Sequence, residues 1–251
     1  MNIKIVIAAH KEYFMPDDPV YLPIHAGSSQ AAVTLPYLRD DAGKNISGKN
    51  PHFCELTCLY WAWQNLDADY IGLVHYRRHF RGKNSRIISG SEVEEILQKF
   101  PVILPRKRNY FIESNHSQYI HAHHAADLEA VKQVIAEKFP EYLPAYRKVM
   151  KRTTGYRFNM CIMRKDILDK YCQWLFEVLF ETEKILDISG YDTYDARVFG
   201  FLGERLLDIY IEHHQPPLTT LPVTNLESQH WGRKIISFLL RKFTNGKYRC
   251  R

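Results

Sequence analysis

Asp69-Tyr70-Ile71-Gly72-Leu73-Val74-His75-Tyr76-Arg77-Arg78-His79-Phe80 is the stretch that decides the fold. Tyr70 to Val74 is short, apolar and partly β-branched, which predicts a strand buried on both faces in the middle of a largely parallel sheet. The run stops abruptly at His75, Tyr76, Arg77, Arg78 and His79. Ligands of open α/β sheets sit beyond the carboxyl ends of the strands. Two adjacent arginines at that point suit an anion, because guanidinium is always charged and its planar fork matches phosphate oxygens. A basic surface loop is the plainer alternative.

Working outward, Ile3 to Ala9 reads as a first strand, ending in Ala8-Ala9-His10-Lys11. Small residues followed by a cation suit a loop that approaches a ligand. Met15 to Gly27, rich in Pro and Asp, is expected to be an ordered loop. Gly43 to Asn50 nearly spells a Walker A motif, but Asn50 replaces the magnesium-holding hydroxyl and no apolar strand precedes it. The better reading is a loop entering a helix, with Asn50 as cap, Pro51 at its first position and an apolar stripe at Phe53, Leu56, Leu59, Tyr60 and Trp63. Trp61 and Trp63 are expected in the core rather than around a base or sugar.

After the arginines, a helix is expected over about Ser91 to Phe100, with Ser91 and Glu94 as a capping box. Val102 to Pro105 reads as a strand, followed by the basic turn Arg106-Lys107-Arg108. His116, His121, His123 and His124 lack zinc-site spacing, so solvated or substrate-facing roles fit better. Helices are expected at Ala125 to Lys138, Tyr142 to Lys151, Asp166 to Glu183 and Ala196 to Glu212, with a second buried strand at Arg157 to Met163. Strands alternating with helices give an α/β class.

The chain has 251 residues, 45% hydrophobic and 25% charged, which is ordinary for a globular domain with a real core. No stretch of eighteen apolar residues could cross a membrane, and the start is not a signal peptide, so a cytoplasmic protein is expected. The five cysteines (Cys54, Cys58, Cys161, Cys172, Cys250) are irregularly spaced, which argues against a disulfide framework or zinc knuckle. The formal charge is +6, but Ser228 to Arg251 carries seven of the 34 Lys and Arg and none of the 28 acids. The body is thus close to neutral, which argues against a nucleic-acid partner. We divide the chain into a domain over 1–227 and a basic tail over 228–251. The tail interleaves Trp231, Ile235, Phe238 and Leu239 with Arg233, Lys234, Arg241 and Lys242, the pattern of an interfacial helix on an anionic membrane. Packing on the body or a frayed end are the alternatives.

Six blocks carry a resemblance: Ile7-Ala8-Ala9-His10-Lys11, Asn45-Ile46-Ser47-x-Lys49-Asn50, Cys54-Glu55-Leu56-Thr57-x-x-Tyr60-Trp61-x-Trp63, Gly72-Leu73-x-His75-Tyr76-Arg77-Arg78, Phe158-Asn159-Met160, and Arg197 to Leu206. Together they resemble bacterial capsular and exopolysaccharide glycosyltransferases first catalogued as a domain of unknown function, some described as galactofuranosyltransferases. The resemblance covers about residues 3 to 215. It implies a glycosyltransferase-A-like, Rossmann-type α/β fold, with a mixed, mostly parallel sheet flanked by helices. It also implies transfer of a sugar, galactofuranose in some members, from a UDP-sugar donor to a growing capsular, exopolysaccharide or O-antigen glycan, expected to be lipid-linked.

On that basis Ala8, His10, Lys11, Asn45, Ser47, Lys49, Asn50, Glu55, His75, Tyr76, Arg77 and Arg78 are expected on the donor and its diphosphate. His123, His124, Asn159 and Arg197 are expected on the acceptor. Many enzymes of this architecture hold a divalent metal on an Asp-x-Asp at the carboxyl end of a central strand. Asp67-Ala68-Asp69 matches the letters but precedes the strand, so it reads as a turn. We therefore expect no metal cofactor, with Arg77 and Arg78 neutralising the diphosphate, and manganese or magnesium as the alternative. Inverting transfer needs a carboxylate to accept the acceptor's proton. Glu204 is the first candidate, Asp192 the second and Asp195 the third, with Arg205 beside Glu204. The plainer readings are an ion pair for Glu204 and loop-capping for the aspartates. A non-catalytic glycan-binding scaffold is the rival from another class.

Overall fold

The computed structural model describes residues 1–227; the basic tail over 228–251 lies outside the described residues. The elements in chain order are β1 (Ile3–Ala9), β2 (Tyr21–His25), β3 (Leu38–Arg39), α1 (Asn50–Phe53), α2 (Leu56–Asn65), β4 (Tyr70–His75), β5 (Arg78–Phe80), α3 (Gly90–Leu97), β6 (Val102–Pro105) and β7 (Arg108–Asn109). They continue as α4 (Asn115–Ala122), α5 (Ala125–Lys138), α6 (Leu143–Lys151), β8 (Thr154–Gly155), β9 (Cys161–Arg164), α7 (Lys165–Ile185), α8 (Val198–His214), β10 (Leu218–Leu221) and β11 (Val223–Asn225).

The main sheet has the order β10-β6-β9-β4-β1-β2-β3, with β5 and β11 extending from β4. Only β9 and β5 run against the other strands. It is thus a mixed, mostly parallel sheet. In β1 and β4 every residue but Lys4 and His75 is buried. Val6, Ala8, Ile71 and Leu73 face a large core filled by α2, α5, α6, α7 and α8. Ile3, Ile5, Ile7, Tyr70 and Val74 face a second core with Val93 and Leu97 of α3. The strand period of two delivers alternate residues to the two layers. Gly72 is needed for close approach: a Cβ there would lie 2.8 Å from Ile162 and 2.9 Å from the Cys161 carbonyl on β9.

Four expectations change. Met15 to Gly27 contains a strand, β2, because β3 pairs only with Ile24 and His25 and leaves the outer side of Pro23 without a partner strand. The helix expected from Pro51 through Trp63 is broken at Cys54, which sits at φ 51. The capping box lies two residues earlier than expected, on Ser89 and Glu92. Arg157 to Met160 is a turn with positive φ at Phe158 and Asn159, and only Cys161–Arg164 is strand. Trp61 and Trp63 are packing residues, their indoles donating to the Ala42 carbonyl and the Asp169 carboxylate. Cys54, Cys58, Cys161 and Cys172 are free thiols. Among the described residues no helix is long and apolar enough to cross a membrane.

Candidate active site

The carboxyl ends of β1, β2 and β4 and the entry to β9 share one edge of the sheet, and a cleft of about 510 Å³ opens there. His75 leaves β4 and donates from Nε2 to the Phe158 carbonyl at 2.6 Å, which fixes its tautomer. Tyr76 is buried, its amide donating to the Ala8 carbonyl and its ring meeting His10 edge-on. Arg77 pairs with Glu227 at 3.1 Å, and Lys11 reaches the same carboxylate at 3.3 Å.

Arg78 differs from Arg77. Its guanidinium lies over the Phe158 ring at 4.6 Å, and its buried Nε has no hydrogen-bond partner among the described residues. Burial first, and the neighbouring charge of Arg77 second, press against its charged form. A bound anion would relieve both. The same cations act on His10, whose pKa is lowered by burial and then by Arg77, Lys11 and Arg197.

The opposite wall comes from the break at Cys54. The positive-φ break there separates α1 from α2, and Glu55 after it lines the cleft. Glu55 accepts from Asn159 Nδ2 at 2.8 Å, and His75 Nε2 lies 3.8 Å away. Phe158 and Asn159 hold φ of 74° and 53°. Non-glycine residues rarely occupy that region, and such strain gathers at functional sites. The Phe158 peptide is clamped on both sides: its carbonyl accepts from His75 and its N–H donates to Glu204 Oε1 at 2.7 Å. Helix α8 presents Glu204 through two glycines. A Cβ on Gly203 would meet Leu56 at 2.8 Å and Asn159 at 2.9 Å, and one on Gly200 would meet Cys54 Sγ at 3.1 Å. Arg197 at the head of α8 donates to Cys54 Sγ at 3.2 Å, and burial pushes that thiol up to about 11.

Beneath the cleft lies a buried arginine that the sequence reading left unassigned. Arg157 is 4% exposed and donates to Asp208 at 3.0 Å, to the Tyr110 hydroxyl at 2.7 Å, and to Asn115 and the Tyr156 carbonyl. Its signal was position alone, one residue before the Phe-Asn-Met block.

Ten of the expected site residues line the cleft together: Ala8, His10, Asn50, Glu55, His75, Tyr76, Arg77, Arg78, Arg197 and Glu204. The others are placed elsewhere. Lys11 stands beside the cleft over the rings of Tyr13 and Tyr76. Asn45 ties its own turn, accepting from the Ser47 amide and donating to two carbonyls. Ser47 is fully buried and donates to Asp40, which also takes Ser28, Thr57 and the Gly27 amide. Lys49 pairs with Glu183 at 2.7 Å. The polar groups of these three are occupied within the protein, away from the cleft lining. Asn159 is buried under Glu55. Arg205 is buried behind Glu204, donating to Gln118 at 2.6 Å and Glu204 at 3.3 Å. Asp192 caps its loop by accepting from the amides of Tyr194 and Asp195. His123 and His124 flank Asp195 at 3.5 and 3.3 Å and stack on Phe201 and Tyr191. That cluster fastens the loop before α8 and does not line the cleft.

Asp67 and Asp69 lie at the opposite edge. The Asp67 carbonyl and the Asp69 carboxylate both receive donors from Asn2, so the pair forms a turn. Among the described residues no group of three or more His, Cys, Asp and Glu could hold a metal ion.

The model of a domain of unknown function, DUF4422, matches residues 4–215. The chain belongs to this family. Among curated proteins nothing matches. The DUF4422 chain is similar to an apo structure of WbbM, a bifunctional glycosyltransferase, with a TM-score of 0.84 and 28% identity over 91% of its own length. It spans 46% of that longer protein. The fold of this DUF4422 domain is thus that of a glycosyltransferase.

Proposed function

We propose that the protein is a glycosyltransferase that takes a sugar from a UDP-sugar donor and passes it to a glycan acceptor. One observation carries the reading: at the carboxyl end of β4, Arg78 holds a half-buried guanidinium on the cleft wall, its Nε without a partner among the described residues, and Arg77 stands beside it. A diphosphate supplies the missing acceptor atoms. The likeness to a bifunctional glycosyltransferase supports the same class.

In the proposed inverting step the acceptor oxygen attacks the anomeric carbon as its bond to the diphosphate breaks. The proton passes to a cleft carboxylate and UDP departs on Arg77 and Arg78. Glu204 stays the first candidate for that base, because it lines the cleft and Asp192 does not. Glu55 is the alternative raised by the geometry. The reading extends to galactofuranose as the sugar, capsular polysaccharide as the product, and a lipid-linked acceptor at the inner face of the cell membrane. The 228–251 tail would be one anchor there.

A non-catalytic glycan-binding role has one observation in its favour: Glu204 is engaged by the Phe158 amide, Arg205 and, at 3.8 Å, Arg157. Calorimetric titration with UDP, followed by turnover of sugar nucleotides with and without EDTA, tests the proposal. Binding with turnover that survives EDTA is expected. No UDP binding overturns it, binding without turnover on any acceptor favours the scaffold, and activity lost in EDTA and restored by manganese removes the metal-free reading. Glu204→Gln is expected to abolish transfer and keep UDP binding.

A further inference from the structure

The connection from β6 to α4 carries a feature that the cleft does not use. It leaves the sheet at the same edge as the cleft, since β6 runs with β1 and β4. It begins with Arg106, Lys107 and Arg108, all exposed, and then displays Phe111 at 80% and Ile112 at 55% exposure. Phe111 is the most exposed of the large apolar side chains among the described residues.

This loop is built to hold that display. Arg108 and Asn109 pair with Thr154 and Gly155, and the Tyr110 amide donates to the Thr153 carbonyl. Tyr110 itself turns inward, its hydroxyl accepting from Arg157. Phe111 follows at φ 58, its amide donating to Asn109 Oδ1 at 2.8 Å. That left-handed conformation is uncommon for an aromatic residue and persists where the surroundings over-determine it. Glu113, the only carboxylate of the loop, is buried and held by His121. Ser114 and Ser117 then cap α4. The cations are steadied too: Lys107 lies over the Tyr156 ring at 4.8 Å and Arg108 over the Tyr110 ring at 5.4 Å. Among the described residues none of the three pairs with a carboxylate.

We infer that the Arg106–Ile112 loop docks the protein on an anionic lipid surface, Phe111 and Ile112 entering the headgroup boundary and Arg106, Lys107 and Arg108 facing lipid phosphates. An apolar tip flanked by cations matches both parts of such an interface, the apolar boundary and the negative surface. Cations alone would fit any polyanion; two exposed apolar side chains beside them favour lipid. The docking edge is the cleft edge, so an acceptor embedded in that surface would meet the cleft directly. The inference stands on the loop and is tested whether or not the chain binds nucleotide.

The test is co-sedimentation of the full chain with vesicles of phosphatidylglycerol and phosphatidylcholine, against phosphatidylcholine alone. Binding to the anionic vesicles is expected. Phe111→Ser with Ile112→Ser is expected to lower the partition coefficient about tenfold at any salt concentration, since it removes buried apolar area. Changing Arg106, Lys107 and Arg108 to Gln is expected to lower it about a hundredfold in low salt and far less at high salt. Both changes lie on exposed side chains, and thermal melts confirm folding. A Phe111→Trp variant gives a second readout, a blue-shifted difference spectrum against the parent when vesicles are added. Unchanged partition of the serine variant, or an indole difference spectrum indifferent to vesicles, overturns the inference. Loss of self-association rather than of vesicle binding also overturns it and marks the loop as a protein contact.

Discussion

The two ends of β4 carry opposite charges and opposite kinds of order. At the amino end, Asp67 and Asp69 are closed into a turn by Asn2, and the Asp69 carbonyl takes the Lys165 amide. Among the described residues, none adjoining them in the chain has positive φ. At the carboxyl end, Cys54, Phe158 and Asn159 all hold positive φ, and a buried guanidinium nitrogen lacks a partner among the described residues. Both ends border a hollow, of about 610 Å³ beside Asp67 and Asp69 and about 510 Å³ beside Arg77 and Arg78, so the strain and the unpartnered nitrogen set them apart. The amino end has the letters of a metal motif and the chemistry of a turn. The carboxyl end has no such motif, yet unspent polar capacity and strain collect there, as at sites that await a ligand. On the proposed reading, the edge of the sheet on which residues fall outweighs the letters they spell.

The largest expected effect breaks the support under the strained end. Asp208 is buried with Arg157, and burial raises its pKa while Arg157 opposes that. Asp208→Ala leaves Arg157 buried without its carboxylate and is expected to cost about 3–5 kcal/mol in a denaturant melt. Asp69→Ala, at the exposed amino end, is expected to cost under about 1 kcal/mol. Equal costs would mean that the two ends are not differently built.

Ligand binding sharpens the same contrast. Arg78→Ala is expected to weaken UDP binding by about 2–4 kcal/mol, read by calorimetry. Asp67→Asn with Asp69→Asn is expected to leave it unchanged. The reverse pattern would return the donor to the aspartates.

How far this contrast was legible follows from what a sequence encodes. The core strand, its emergent arginines and the turn at Asp67 were readable because burial on two faces leaves a run of apolar residues and because strand direction assigns the ends. The break at Cys54 was not readable, since the apolar period continues through it and no glycine marks it. Phe158 and Asn159 hid for the same reason. Asn45, Ser47 and Lys49 sit in a family-like block, but Asp40, Glu183 and their own turn consume their polar groups. Ser47 meets Asp40 from seven positions away, and Asn159 meets Glu55 from 104. Periodicity reports which side chains are buried; it does not report which polar partner meets them there.

Acid is expected to strike the carboxyl end next. His79, just past the arginines, is held down to about 4 from an ordinary 6.5, chiefly by burial. The unfolded chain therefore binds a proton between those values that the folded chain refuses, so stability is full above pH 6.5 and is lost as pH falls toward 4. The loss is expected to reach about 3 kcal/mol near pH 4. Urea melts across that range check it. His79→Phe is expected to flatten this part of the slope, and an unchanged slope would assign it to other groups.

The smallest effect isolates the strain itself. Phe158 gives Arg78 its ring and pays in backbone conformation, with φ at 74°. Replacing it removes both at once, so one variant cannot separate them. Phe158→Ala and Phe158→Gly lose the same ring and differ only in what the backbone tolerates. At ordinary positions alanine is the more stable of the two, because glycine has more freedom to lose on folding. At a left-handed position the order reverses, since a Cβ there clashes with the following carbonyl. The glycine variant is therefore expected to be more stable than the alanine variant by about 1 kcal/mol in the same melt. Both are expected to weaken UDP binding alike, through the lost contact with Arg78. Alanine equal to or better than glycine would show that the carboxyl end stores no backbone strain at Phe158, leaving Cys54, Asn159 and Arg78 to distinguish it from the amino end.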